Sequence, residues 1–264
     1  MNPSPPEHAP SLLSKVPEVT LAFWLIKVLS TTVGETGADY LAVEVGLGQS
    51  VTSSAMAALL ALTLFFQLRA ERYVPWLYWL TVVLVSVVGT QITDLLTDRL
   101  GVSLYASTTA FALALAAIFA VWWRSERTLD IQTIGRGSRE EFYWGAILCT
   151  FALGTAAGDL ATEALGLGFQ WGTLAFGMLI GLTALAWRLG EPPVLTFWIA
   201  YILTRPLGAA LGDYLSQAET YGGLGLGTLI TSAVFLAVIV VLVAAAQRQA
   251  RARPLQLTPL HPAK

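Results

Sequence analysis

One cysteine, Cys149, and two histidines, His8 and His261, are all that 264 residues contain of these types. A single thiol excludes an intramolecular disulfide and a thiolate cluster. Both histidines lie in polar segments near the ends, so no Ser-His pair or zinc-binding set is spelled out, and no enzyme is expected. Charge is equally scarce. Asp, Glu, Lys and Arg make up 12% of the chain, against about a quarter in a soluble domain. Missing as well is a basic leader: Met1 to Pro10 is rich in proline, so the first apolar stretch reads as a retained helix. No nucleic-acid partner and no bound cofactor are expected.

What is present is apolar. Hydrophobic residues reach 55% and the mean hydropathy is +0.65, so a lipid bilayer surrounds most of the chain. The apolar runs are organised as a repeat. Phe23-Trp24, Tyr78-Trp79, Tyr143-Trp144 and Phe197-Trp198 are each followed at the same offset by a glycine (Gly34, Gly89, Gly154, Gly208) and then by an aspartate (Asp39, Asp94, Asp159, Asp213). Each unit then breaks near Gly46, Gly101, Gly166 or Gly222 and continues in a second apolar run. First helices are expected near 20–45, 77–100, 142–165 and 195–217. Second helices are expected near 50–68, 103–123, 169–188 and 224–246. Each is long enough to cross a hydrocarbon core of roughly 30 Å.

The expected fold is therefore all-α: a polytopic bundle of eight transmembrane helices, arranged as four parallel tandem repeats at about 20–70, 76–124, 141–189 and 195–246. These form a single membrane domain, 20–246, between cytoplasmic tails at 1–19 and 247–264. The orientation rests on the basic residues. Twelve of the 15 cations, among them Lys15, Arg69, Arg124, Arg188 and Arg251, lie in the tails or between units, which places those segments and both termini in the cytoplasm.

With these residues in view, the chain resembles the bacterial membrane proteins classed as a four-copy repeat of unknown function. The resemblance covers about residues 20–246 and rests on Trp24, Trp79, Trp144 and Trp198 with the Gly-x4-Asp pairs. It implies the fold and a bacterial cytoplasmic (inner) membrane, and supplies no reaction.

Carboxylates carry the chemistry. Fifteen residues separate Trp24 from Asp39, about 22 Å along a helix, which sets Asp39, Asp94, Asp159 and Asp213 at one level beyond the midplane. Glu35 lies one turn before Asp39, while Asp98 and Glu163 lie one turn after Asp94 and Asp159, each pair on one helix face. Glu44, Asp98 and Glu163 have solvation at the outer surface as their simplest role. Eight acids in the outer halves of the first helices face three membrane cations, Lys27, Arg99 and Arg205. Unpaired carboxylates in a poor dielectric must bind a cation or a proton. Arg205 is expected to compensate one acid, with a structural ion pair as the equal alternative. Lys27 either compensates charge or snorkels to the cytoplasmic side. Pro206 is expected to kink the seventh helix, the glycines to serve helix contact, and the tryptophans to anchor at the interface.

The leading expectation is a transporter of small inorganic cations, a divalent metal such as Mn2+, held by Asp39, Asp94, Asp159 and Asp213. Glu35, Glu163 and Asp98 belong to the wider cation site, and Thr31, Thr32, Thr90 and Thr155 offer neutral oxygens. Oxygen ligands without sulfur or imidazole suit Mg, Ca and Mn, and protons on the same carboxylates would permit exchange. An organic-cation exporter and a non-transporting scaffold are the alternatives; a homo-oligomer is compatible with all three.

Overall fold

Pro75 and Pro193 open two of the helices at the first position, where a missing N–H costs nothing. Thr20 and Ser103 cap two others by accepting from Phe23 and Ala106 amides. The computed structural model describes residues 14–41, 45 and 48–252. Glu44, Gly46 and both histidines lie outside the described residues, as do the tail cations Arg253 and Lys264. Eight helices are described: α1 (Leu21–Asp39), α2 (Gln49–Arg69), α3 (Pro75–Asp94), α4 (Leu104–Glu126), α5 (Ser138–Asp159), α6 (Phe169–Arg188), α7 (Pro193–Ser216) and α8 (Thr228–Ala252). No strand occurs among the described residues.

Seven of the eight are long and apolar enough to cross a membrane. The exception is α1, where Lys27, Glu35 and the hydroxyl run Ser30-Thr31-Thr32 interrupt the apolar sequence. These polar groups are buried, so α1 belongs to the interior of the bundle.

The helices form two layers. More than half of each membrane-length window in α3, α5 and α7 is buried, against 11–17% in α2, α4, α6 and α8. Inside, α1 packs on α3, α3 on α5, α5 on α7, and α7 back on α1. Outside, α2 lies against α3, α4 against α5, α6 against α7, and α8 against α1. Each second helix thus covers the first helix of the following unit, and the last unit closes onto the first.

The repeated glycines are the joints of the inner ring. A Cβ on Gly34 would overlap Ser86, one on Gly154 would overlap Arg205, and one on Gly208 would overlap Thr31, while at Gly89 it would stand 2.7 Å from the Phe151 Cβ. In every case the neighbour is the residue three before the next unit's own glycine. Small residues at this spacing let the inner helices touch backbone to side chain.

At one end of the ring the aromatic pairs meet. The Phe23 ring packs on those of Trp79 and Phe197, Tyr78 on Trp144, and Tyr143 on Trp198. Trp79, Trp144 and Trp198 are buried, which corrects the expectation of interfacial anchors. These rings fill the ring's centre, where each excludes more surface than it would at a lipid headgroup.

The interval between α4 and α5 contains a short 3-10 turn, Ile131–Thr133. Below it the start of the described chain is docked. Lys15 is buried, paired with Glu140, and its Nζ donates to the Gln67 carbonyl at 2.8 Å. Residues 15 and 16 are therefore packed, where a solvated tail was expected.

Replacing Gly89 with Val should overpack the α3–α5 joint at a cost of about 1–3 kcal/mol or more. It would lower the unfolding temperature of the detergent-solubilised protein. Gly181→Val, on the outward side of α6 with nothing within 4 Å, should leave that temperature unchanged.

Candidate functional site

The end of the ring opposite the aromatic rings is acidic because each inner helix delivers its aspartate there. α1, α3 and α5 end at Asp39, Asp94 and Asp159 and pass directly into a widened π-type turn. Such turns add a residue per turn and recur at functional sites. The fourth unit departs: α7 runs on regularly to Ser216, and Gln217 is extended.

All four aspartates line one cavity of about 280 Å³, together with Glu35, Asp98 and Glu163. The structure therefore brings together every acid that the sequence singles out within the described residues. Exposure grades along the cavity. Glu35 and Asp213 are buried, Asp39, Asp94 and Asp159 are half-buried, and Asp98 and Glu163 are exposed. Neutral polar groups complete the wall: Gln49, Gln91, Thr97 and Gln217. Gln91 is buried with neither side-chain atom hydrogen-bonded among the described residues.

None of the four threonines expected to offer neutral oxygens is among the residues that line the cavity. Thr31 and Thr32 donate to the Val28 carbonyl and Thr155 to that of Phe151. Thr90 donates to Ser86 O and stands by Glu35. A hydroxyl in a membrane helix finds its own preceding carbonyl before it finds a cavity. Gln49 and Gln91 escaped the sequence reading because they have no counterpart at the same offset in the other units.

Beneath the cavity lies Arg205. Its Nη2 donates to Glu35 Oε2 at 2.5 Å and also to Thr90 Oγ1, and its side chain crosses Gly154. The guanidinium so joins α7 to α1 and α3, and the aliphatic stem packs on Gly154 of α5. α7 remains one helix through Pro206, whose ring packs towards Gly154 and Gly158.

Lys27 behaves differently from both expectations. Its Nζ lies 3.9 Å from the Phe151 ring centroid and 4.3 Å from that of Tyr201, and among the described residues it has no hydrogen-bond partner. At 1% exposure it does not snorkel. The aromatic layer stands between it and the ring's end, and the Glu35 carboxylate is taken by Arg205. Among the described residues, no three His, Cys, Asp or Glu side chains are close enough together to hold a metal ion. The carboxylates surround the cavity and do not converge on a point within it.

A ring of polar-cored helices inside a jacket of apolar ones defines a multi-pass helical membrane protein built by repetition. The chain belongs to the family described as Repeat of Unknown Function (DUF347), whose model matches residues 22–73, 77–128, 142–191 and 196–252. These four matches coincide with the four units. No curated protein and no solved structure matches the chain.

Removing one partner of a buried ion pair leaves an uncompensated charge, at a cost of about 3–5 kcal/mol. Arg205→Met should therefore strongly lower thermal stability in detergent. Adding Glu35→Leu to it should restore part of the loss, whereas independent roles would make the two losses add.

Proposed function

We propose that the protein transports cations, with a divalent metal ion such as Mn2+ as cargo, through the cavity formed by Asp39, Asp94, Asp159 and Asp213. The observation that carries this reading is the charge around the cavity. Seven acids contributed by all four units open onto it, and among the described residues the ion pair made by any of them is that of Glu35 with Arg205. Carboxylates gathered inside a membrane and left unpaired need a cation or protons. Their oxygens, with no sulfur or imidazole among the cavity's lining residues, suit hard or borderline ions. Because the acids ring an open space, the ion sits there with part of its water. Mn2+ sheds that water more readily than Mg2+. Protons competing for the same carboxylates make exchange possible.

In this reading all eight helices cross the bilayer. α1 crosses despite its polar residues because these are buried, with α3, α7 and α8 packed against the helix. The four units enter from the same side of a bacterial inner membrane, and both termini are cytoplasmic. The aromatic layer then closes the cytoplasmic end, and the cavity opens outward.

Purified protein in liposomes should move Mn2+, and the flux should fall as pH drops, since protonated carboxylates bind metal poorly. Asn at Asp39, Asp94, Asp159 or Asp213 should each reduce it by about 10–100-fold, non-additively in combination. Full flux in an Asp39→Asn, Asp159→Asn double variant would refute a shared site. Transport of tetraphenylphosphonium without metal flux at any pH would replace this reading with an organic-cation carrier. Movement of neither would leave a scaffold.

A further inference from the structure

Gln91 is a neutral polar group in the wall of the acidic cavity, and the balance of charges there gives it no role. It lines the cavity from α3 and is 2% exposed. Its Oε1 and Nε2 are both buried, and neither has a hydrogen-bond partner among the described residues. A glutamine amide carries one carbonyl acceptor and two N–H donors. Burying both ends unmet is costlier than burying an apolar side chain of the same shape. That cost points to a partner which the protein itself does not supply.

The repeat confines this feature to one helix. The equivalent positions, two after each repeated glycine, hold Thr36, Ala156 and Ala210. Thr36 Oγ1 donates to the Thr32 carbonyl at 3.1 Å and shares a 2.6 Å hydrogen bond with Ser232. The alanines have no polar side-chain atom. Gln91 precedes Asp94 by three residues, so it shares that face of α3 and lies about 4.5 Å deeper in the ring. The other buried residues of the cavity wall are Glu35, Ala38 and Asp213. Glu35 is paired with Arg205, and Asp213 stands on α7, across the ring from α3. At the buried end of the wall, Gln91 and Asp213 are thus the polar side chains outside that ion pair.

We propose that Gln91 is the neutral ligand that selects the ion, its Oε1 replacing one water on a divalent cation held by the aspartates; this rests on the cation-transport reading above. Among the described residues no three acids are close enough together to hold a metal ion, so carboxylates alone leave the ion with most of its water. The amide lies in the cavity wall, and rotation about its side-chain bonds turns Oε1 towards the ion. Nε2 is then left to donate to a cavity carboxylate, and both unmet ends are served together. A carbonyl oxygen suits the same ions as a carboxylate and adds no charge of its own. To accept it, the ion must give up a water. Ca2+ and Mn2+ do so readily and Mg2+ reluctantly, so this one contact discriminates between ions of equal charge.

The test uses the full-length protein in detergent, with Mn2+ as the probe and Mg2+ as its competitor. Binding is read from the spin-resonance signal of Mn2+, and the waters remaining on the bound ion from its enhancement of water-proton relaxation. Gln91→Met and Gln91→Leu both remove the carbonyl at similar volume. Each should weaken Mn2+ binding by about 10-fold, leave Mg2+ binding nearly as it was, and leave bound Mn2+ with one water more than in the wild type. Gln91→Glu, which keeps an oxygen at the same reach, should hold the wild-type water count. Because Met and Leu remove an unmet polar group, both variants should melt no lower than the wild type without metal. Variants that melt lower, yet bind Mn2+ with wild-type hydration and wild-type preference over Mg2+, would assign Gln91 to packing and overturn the proposal while leaving the aspartate site intact. Absence of Mn2+ binding in the wild type would overturn the cation reading, and this one with it.

Discussion

The guanidinium of Arg205 is the point on which the four inner helices depend. It starts on α7, passes the bare backbone of Gly154 on α5, and reaches Glu35 on α1 and Thr90 on α3. Burying an arginine in a membrane bundle is costly, and what offsets it here is the bonding of Nη2 to Glu35 and Thr90, since Nε and Nη1 have no hydrogen-bond partner among the described residues. The pairing consumes one carboxylate and leaves the others. That single subtraction produces both features of the site: a fixed floor and an uncompensated wall of acids above it.

Repetition builds this arrangement, and departures from repetition give it chemistry. The position three before each glycine holds Thr31, Ser86, Phe151 and Arg205, and the position just after it holds Glu35, Thr90, Thr155 and Ala209. Equivalent sites around the ring therefore carry an acid, a base, hydroxyls and an aromatic ring. The geometry is nearly fourfold while the electrostatics are not. The Arg205–Glu35 bond can form because the two residues occupy different offsets in neighbouring units, and the ring's closure of α7 on α1 brings them together. Lys27 stands over Phe151 and Tyr201 in the same way, with no equivalent lysine at Val82, Ile147 or Tyr201.

Much of this was legible beforehand. The Gly-x4-Asp spacing located the close helix contacts and the shared level of the aspartates, because both follow from helical geometry alone. Neighbour order was not legible. Nothing in the local pattern says that α2 packs on α3 in preference to α1, since both faces are equally apolar. The tryptophans misled for a related reason: an aromatic-Trp pair at a helix start fits an interface as well as a buried layer, and only the ring's closure decides. Thr31, Thr32, Thr90 and Thr155 lie one to two turns before the aspartates of their helices and do not line the cavity.

Whether the four aspartates hold a cation in one cavity is tested directly by crystals grown with Mn2+ and measured at the manganese absorption edge. The account predicts an anomalous peak within the cavity bounded by Asp39, Asp94, Asp159 and Asp213, above the Arg205–Glu35 pair. A cavity without anomalous signal at saturating Mn2+ would contradict it.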